Sequence, residues 1–304
     1  MATATLAQFE SGHADMVHDV EFDYYGKRLA TCSSDRMIKI FDVVGEQVVH
    51  VADLGGHEGP VFEVAWSHPK FGSLLASCGY DNRVIIWKEV TENVWQQIYQ
   101  STMHTASVNS LSWAPYELGL SLAAASSDGS LSVLTYQADG TWTTELIENA
   151  HPVGANSVSW SPAAPKGSLV GSKAPGMPVK RIASGGSDNT VKVWTYEDAN
   201  RMWHLDGSPL AGHADWVRDV AWAPNLGLPM NTIASAGQDG RLIAWTERED
   251  GSTWDPVVVH DFAGAPVWRV SWSTSGNLLA ATDASGAVTL WSEVTDGRWQ
   301  QVSE

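Results

Sequence analysis

Tryptophan recurs along this chain at fixed places, and that recurrence limits what the chain can fold into. There are sixteen tryptophans in 304 residues. Trp66, Trp113, Trp160, Trp222 and Trp272 end short runs in which polar and apolar residues alternate. Trp87, Trp194, Trp245 and Trp291 end a second kind of run, as in Arg83–Trp87. Trp95, Trp142, Trp203, Trp254 and Trp299 follow that second place by eight or nine residues. Trp216 and Trp268 lie early in runs of the first kind. The ends of the second runs (Phe41, Trp87, Leu134, Trp194, Trp245, Trp291) are separated by 46, 47, 60, 51 and 46 residues. Periods of this length signal a repeat architecture.

A second pattern keeps the same register. His13, His57, His104, His151 and His213 stand nine positions before the end of the first run. Asp35, Asp81, Asp128, Asp188 and Asp239 stand six positions before the end of the second. Asp128-Gly129, Asp239-Gly240, Asp81-Asn82 and Asp188-Asn189 suit tight hairpin turns with positive φ. Each unit reads as four short antiparallel strands. In the second unit these are Val61–Trp66, Leu74–Cys78, Val84–Lys88 and Val94–Gln100. No stretch has sustained helical periodicity. The expectation is an all-β, six-bladed β-propeller in one domain over 1–304, with blades at about 13–53, 57–100, 104–148, 151–206, 213–260 and 263–302. The sixth unit departs from the pattern, with Ala263 and Ser285 at the His and Asp places. The fourth carries an insertion at 163–179 rich in Pro, Gly, Ser and Ala, the composition of a flexible surface loop.

The composition excludes several functions. Thirty-five acidic residues against eighteen basic ones leave a net charge of −17, and no basic stripe interrupts it. Nucleic acid and anionic membrane surfaces would be repelled. Cys32 and Cys78 occupy a place filled elsewhere by Ala125, Gly185 and Ala236, which makes them small core residues rather than a disulfide or metal pair. The N-terminal residues lack the basic and apolar regions of a signal peptide, and no apolar run reaches membrane-spanning length. No ligand-spaced Cys or His pairs, phosphate loop or nucleophile elbow occurs. The expectation is therefore no catalysis, no cofactor and no metal.

The Gly-His…Asp…Trp arrangement, as in Gly56-His57, Asp81 and Trp87, resembles that of WD-repeat proteins. The segments Asp23–Asp35, Gly56–Val61, His68–Cys78, Ala106–Pro115 and Asp215–Trp222 resemble, more narrowly, the family of the small WD-repeat subunit of the COPII outer coat, which the nuclear pore's Y-shaped complex shares. The similarity runs over essentially the whole chain. It implies hydrogen-bonded tetrads within blades: His57, Ser77, Asp81 and Trp87 in the second blade, His213, Ser235, Asp239 and Trp245 in the fifth. Five repetitions of such a set point to structure, because an active site normally occurs once.

The resemblance also implies a non-catalytic scaffold and an open ring, completed by a seventh blade donated by a helical partner. The implied partners are the large COPII outer-coat subunit and a Y-complex nucleoporin, with the vacuolar nutrient-signalling coat as a third assembly. The implied locations are the cytoplasmic face of the ER membrane and its vesicles, the nuclear pore and the vacuolar membrane. Strand addition of this kind is a known way to cover an exposed sheet, and the interface belongs to the large, apolar class of roughly 2,000 Å² or more. Strand alternation gives Val17, Val20, Ile38 and Ile40 in blade one, and Val267, Val288 and Leu290 in blade six, as contacts. The segment Thr3–Phe9 is spare. Rival readings are a peptide-binding adaptor, which needs a basic or aromatic pocket on one face; a propeller hydrolase, which needs convergent acids or a metal; and the paralogous open-propeller nucleoporin.

Overall fold

A computed structural model describes residues 8–164, 178–225, 230–248, 251, 253–294 and 297–303. Most of the 163–179 insertion, and residues 3–7 of the spare N-terminal segment, lie outside these. The described residues form six antiparallel sheets and no α-helix, with two short 3-10 turns at Pro69–Phe71 and Tyr116–Leu118. Sheet one is β1 (Val17–Phe22), β2 (Arg28–Ser33), β3 (Met37–Val44) and β4 (Gln47–Gly55). Sheet two is β5 (Val61–Trp66), β6 (Leu74–Gly79), β7 (Val84–Thr91) and β8 (Val94–Ser101). Sheet three is β9 (Val108–Trp113), β10 (Ser121–Ser126), β11 (Leu131–Tyr136) and β12 (Trp142–Ile147). Sheet four is β13 (Ala155–Trp160), β14 (Arg181–Gly186), β15 (Thr190–Glu197) and β16 (Met202–Leu205), with β17 (Leu210–Ala211) also on β15. Sheet five is β18 (Val217–Trp222), β19 (Thr232–Gly237), β20 (Arg241–Glu247) and β21 (Trp254–Asp261). Sheet six is β22 (Val267–Trp272), β23 (Leu279–Asp283), β24 (Val288–Val294) and β25 (Arg298–Ser303). Each sheet is a four-stranded meander of the propeller-blade type. The chain divides into two compact units between Glu148 and Asn149, with sheets one to three before the division and sheets four to six after it.

The turns form where the sequence places them. Asn82 and Asn189 take φ of 64°, and Gly129 and Gly240 take 87° and 80°, directly after the repeated Asp. Arg36 adopts φ of 71° at the same place in sheet one, a conformation that suits Gly or Asn better. Every first strand carries the same bulge against its second strand, falling at His18, Phe62, Asn109, Asn156, Arg218 and Trp268. A bulge re-aims one side chain without ending the ladder.

Within each unit, neighbouring sheets pack face to face. Ala30, Cys32, Ile38 and Ile40 interlock with Val61, Val64, Leu75 and Ile85. Ala76, Val84 and Ile86 meet Val108, Leu111 and Leu122. In the other unit, Val191 and Val193 meet Val217 and Val220, while Leu242 and Ala244 meet Val267, Val270 and Leu279. Cys32 and Cys78 are buried free thiols in these layers. The recurrent tryptophans have a packing cause. The one ending the first strand meets the one on the outer strand of its own sheet, in Trp66–Trp95, Trp160–Trp203, Trp222–Trp254 and Trp272–Trp299, with centroids 5.6–5.9 Å apart. Such offset aromatic pairs add to the burial of two large side chains.

Candidate functional site

The His–Asp sets form buried polar chains. In sheet two, Trp87 Nε1 donates to Ser77 Oγ at 2.9 Å, Ser77 lies 2.8 Å from His57 Nε2, and His57 Nδ1 lies 3.0 Å from the Asp81 carboxylate. Sheet five repeats this through Trp245, Ser235, His213 and Asp239, at 2.8, 2.7 and 3.0 Å. Sheet four repeats it through Trp194, Ser184, His151 and Asp188, and Lys192 Nζ also donates to Asp188 at 2.8 Å. The carboxylate accepts in addition from the amide after the histidine, in Ala14, Glu58, Thr105 and Ala214. The acid thus staples the inter-blade loop to the hairpin turn. Gly237 cannot carry a Cβ, because it would collide with His213 and Asp239. Every polar atom in these chains has a partner, which rigidifies the surroundings.

Sheets one and three modify the chain. In sheet one Phe41 replaces the tryptophan, and His13 pairs with Asp35 and Thr31 Oγ1, both at 2.8 Å. In sheet three Ala124 replaces the second-strand hydroxyl and Leu134 the tryptophan. His104 Nε2 instead meets Ser132 on the third strand at 2.9 Å. The residues that complete sheet three sit outside the repeat's usual places, so spacing alone did not reveal Ser132.

These chains shift titration. Burial is the largest influence on Asp128 and pushes its carboxyl up, but hydrogen bonds from Ser130 and the Thr105 amide outweigh it and bring it down to about 2. Asp35, Asp81, Asp188 and Asp239 also lie below the usual carboxylate range, their hydrogen bonds again outweighing burial. Burial depresses His104 and His151, with Asp128 and Asp188 opposing it. Groups with depressed values stabilise the fold above their unfolded values and lose that contribution as pH falls. Glu21 has the opposite sign. Burial, with Asp19 and Glu63 nearby, raises its carboxyl well above the usual range, against the Trp66 amide. Its contribution is present at low pH and fades as pH rises. Thermal melts are therefore expected to show falling Tm from pH 7 to 5 as the unfolded histidines protonate, and a further fall below about pH 4. Glu21→Gln should raise Tm at pH 7.5 and leave it unchanged at pH 4. Because Glu21 opposes the histidines in this window, a flat profile between pH 7 and 5 in the Glu21→Gln variant would sink the histidine account.

The sheet faces separate the sequence-derived contact residues into two groups. Val17 is 41 % exposed, whereas Val61, Val108, Ala155, Val217 and Val267 at the same place are 0 % exposed. Val20 is 56 % exposed, whereas Val64, Leu111, Val158, Val220 and Val270 are at most 7 %. Val288 is 61 % exposed, whereas Ile38, Val84, Leu131, Val191 and Leu242 are 0 %. Leu290 is half-buried. The structure therefore corrects three of the expected contacts. Ile38, Ile40 and Val267 are fully buried, the first two against sheet two and the third against sheet five. The reason is pairing register. Val20 lies across from Thr31 and Lys39, while Cys32 lies across from Ile38, which puts Ile38 and Ile40 on the opposite face from Val20. Both faces of a blade are apolar, so strand alternation separates them without saying which one is covered. On the face of sheet one that carries Val20, Leu29 and Phe41 are buried, with Phe9 edge-on to Phe41 at 5.2 Å. The exposed apolar residues of that face are concentrated on β1, at Val17, Val20 and Phe22.

The family model for the WD domain, G-beta repeat, matches residues 4–42, 48–88, 143–195, 207–246 and 256–292. The chain is 61 % identical over 302 residues to Protein transport protein SEC13 homolog A of Arabidopsis thaliana, covering 97 % of each protein. It belongs to the SEC13 family. Within that family it is also 56 % identical to Protein SEC13 homolog of Dictyostelium discoideum, over 100 % of this chain and 98 % of the relative. It is 57 % identical to Protein transport protein SEC13 of Chaetomium thermophilum, over 96 % and 94 %. The repeat model passes over residues 89–142, which hold β8 to β11 and include Ala124 and Leu134 in place of the hydroxyl and the tryptophan. Sheet three nevertheless has the four-stranded form of its neighbours, as expected for this family.

Proposed function

We propose that this chain is a non-catalytic scaffold subunit in protein transport, held in its assemblies by strands of a partner that cover the open faces of sheets one and six as a donated seventh blade. One observation carries this reading. Val17, Val20 and Val288 are exposed at places where every counterpart in the other sheets is buried. An apolar face of this kind needs a cover or it associates nonspecifically. The names of the relatives speak of protein transport. The narrower assignment is to the COPII outer coat, with its large outer-coat subunit as partner, and to the Y-shaped complex of the nuclear pore, with the vacuolar nutrient-signalling coat as a third assembly. The five His–Asp sets serve rigidity, because each is saturated by its own blade.

The test is co-expression with strand-bearing fragments of the large outer-coat subunit and of the Y-complex nucleoporin, read by size-exclusion chromatography with light scattering. A one-to-one complex that is lost when the fragment's strands are deleted is the expected result. A monodisperse chain that ignores both fragments would overturn the reading. It would favour a peptide-binding adaptor, for which a separate feature speaks. The guanidinium of Arg218 is clamped between the rings of Trp216 and Trp268, at 4.9 and 5.0 Å, and both rings are about two-fifths exposed.

A further inference from the structure

The sheets of each unit are joined by a polar device beside their apolar contacts. In an antiparallel ladder, amides alternate between the partner strand and the outside. In β5 the outward amides are those of Val64 and Trp66. Both are capped by carboxylates of sheet one, Asp19 Oδ2 at 3.1 Å and Glu21 Oε2 at 2.7 Å. The next junction uses Glu63 Oε2, which accepts from the Leu111 amide at 3.1 Å. Between sheets four and five, Ser157 Oγ accepts from Val220 and Ser159 Oγ from Trp222, at 3.1 and 3.0 Å. Between sheets five and six, Asp219 Oδ2 accepts from the Val270 amide at 2.9 Å. The rule is shared by all four junctions: an oxygen at the third or fifth position of one first strand caps an outward amide of the next. Aspartate, glutamate and serine all serve, so an oxygen acceptor is required rather than a charge.

Strand β1 is the first strand of its unit, so no sheet of that unit stands before it to supply such oxygens. The Asp23 amide donates to Arg28 across the hairpin, and alternation then points the Val20 and Phe22 amides away from β2. Among the described residues of sheets one to three, no acceptor outside the strand ladder meets either amide. Phe22 also differs from its counterparts. Trp66, Trp113 and Trp272 donate their indole N–H to a carbonyl of the preceding sheet, at 3.1, 2.9 and 3.0 Å, and phenylalanine has nothing to donate. The backbone N–H groups of Val20 and Phe22 are thus the main-chain donors that β1 offers at this edge, beside their carbonyls.

We propose that the partner strand covering β1 carries two side-chain oxygen acceptors, Asp, Glu or Ser, two residues apart, and that they accept from the Val20 and Phe22 amides. This rests on the covering-strand reading above and deepens it. The occupant is an extended segment of another protein with the order acceptor, apolar, acceptor, as in Asp19-Val20-Glu21 of this chain. The apolar residues between the acceptors select for hydrophobicity, and the two oxygens select the register, because a one-residue slip turns both away.

The test compares Val20→Pro with Val20→Ala in the full chain, by calorimetric titration with the strand-bearing fragment of the large outer-coat subunit. Both substitutions trim the side chain, but only proline removes the amide. An outward amide on an edge strand is where proline is tolerated, so the two free proteins should melt within a few degrees of each other. Binding by Val20→Pro should be about tenfold weaker than by Val20→Ala. The second arm replaces each Asp, Glu, Ser and Thr in the fragment's strands by alanine in turn. Two positions, two residues apart, should each cost about tenfold. Equal binding by both variants, or a scan in which no polar position matters, would overturn the inference while the covering-strand reading stands. A fragment that fails to bind the unaltered chain would remove both. Should Val20→Pro misfold, the alanine scan decides alone.

Discussion

Replacing Trp245 by alanine is expected to cost about 3–5 kcal/mol of stability, the range for emptying the site of a large buried aromatic. Trp245 is 1 % exposed and is among the largest fully buried side chains. It packs with Ile243, Val217, Val220 and Ile233 in the layer between sheets four and five. Its indole also anchors Ser235, which in turn holds His213. Two losses therefore coincide, a cavity and a broken polar chain. Trp245→Phe separates them. It keeps most of the ring volume and removes the N–H, and sheet one already works with Phe41 in that place. Ser235 would keep its bond to His213, so this variant should lose only about 1–2 kcal/mol. Chemical denaturation of the two variants and the parent chain measures both numbers. Equal losses would mean that the indole hydrogen bond, and not the volume, carries the effect.

The second large effect concerns binding. Val20→Lys and Val288→Lys are each expected to weaken capture of a strand-bearing partner by at least tenfold, and together to abolish it at micromolar concentrations. An ammonium placed in an apolar interface must be stripped of water, and any acceptor it took would be drawn from the backbone amides. The free chain should not notice either change, because both side chains are mostly exposed and support none of the inter-sheet layers. Ile40→Lys is the contrasting variant. Ile40 is 0 % exposed and locked against sheet two, so a charge there should unfold the sheet before any partner is tested. Calorimetric titration with the same fragments, beside melting curves of the free variants, reads both outcomes. Full binding by the double variant would show that the open faces are not where the partner sits.

The contrast between Val20 and Ile40 also marks the boundary of what the residues alone disclosed. The spacing of Trp, His and Asp defined the repeats, their four strands and their hairpin turns, because those features depend on short-range rules. A turn with positive φ calls for Asn or Gly within two residues of the Asp, and alternation follows from the two-residue period of a strand. The strands expected in the second repeat lie within the observed ones, which differ only in running to Gly79, Thr91 and Ser101. The tetrads of sheets two and five were implied by the resemblance to WD-repeat proteins and not by spacing, since His and Ser stand 20 residues apart in one and 22 in the other.

Tertiary structure decided what spacing does not encode. Ser132 takes the place of an absent hydroxyl because it lies on a neighbouring strand at the right distance, a relation across space and not along the chain. The clamp of Trp216 and Trp268 on Arg218 joins side chains from two sheets through their bulges. Above all, the sequence determined which residues of a blade are apolar, and the packing of the sheets decided which of them remain uncovered. Val17 and Val267 hold the same place in the repeat, and Val288 the same place as Ile38. Burial depends on whether another sheet stands opposite, and no residue carries that information within its own strand.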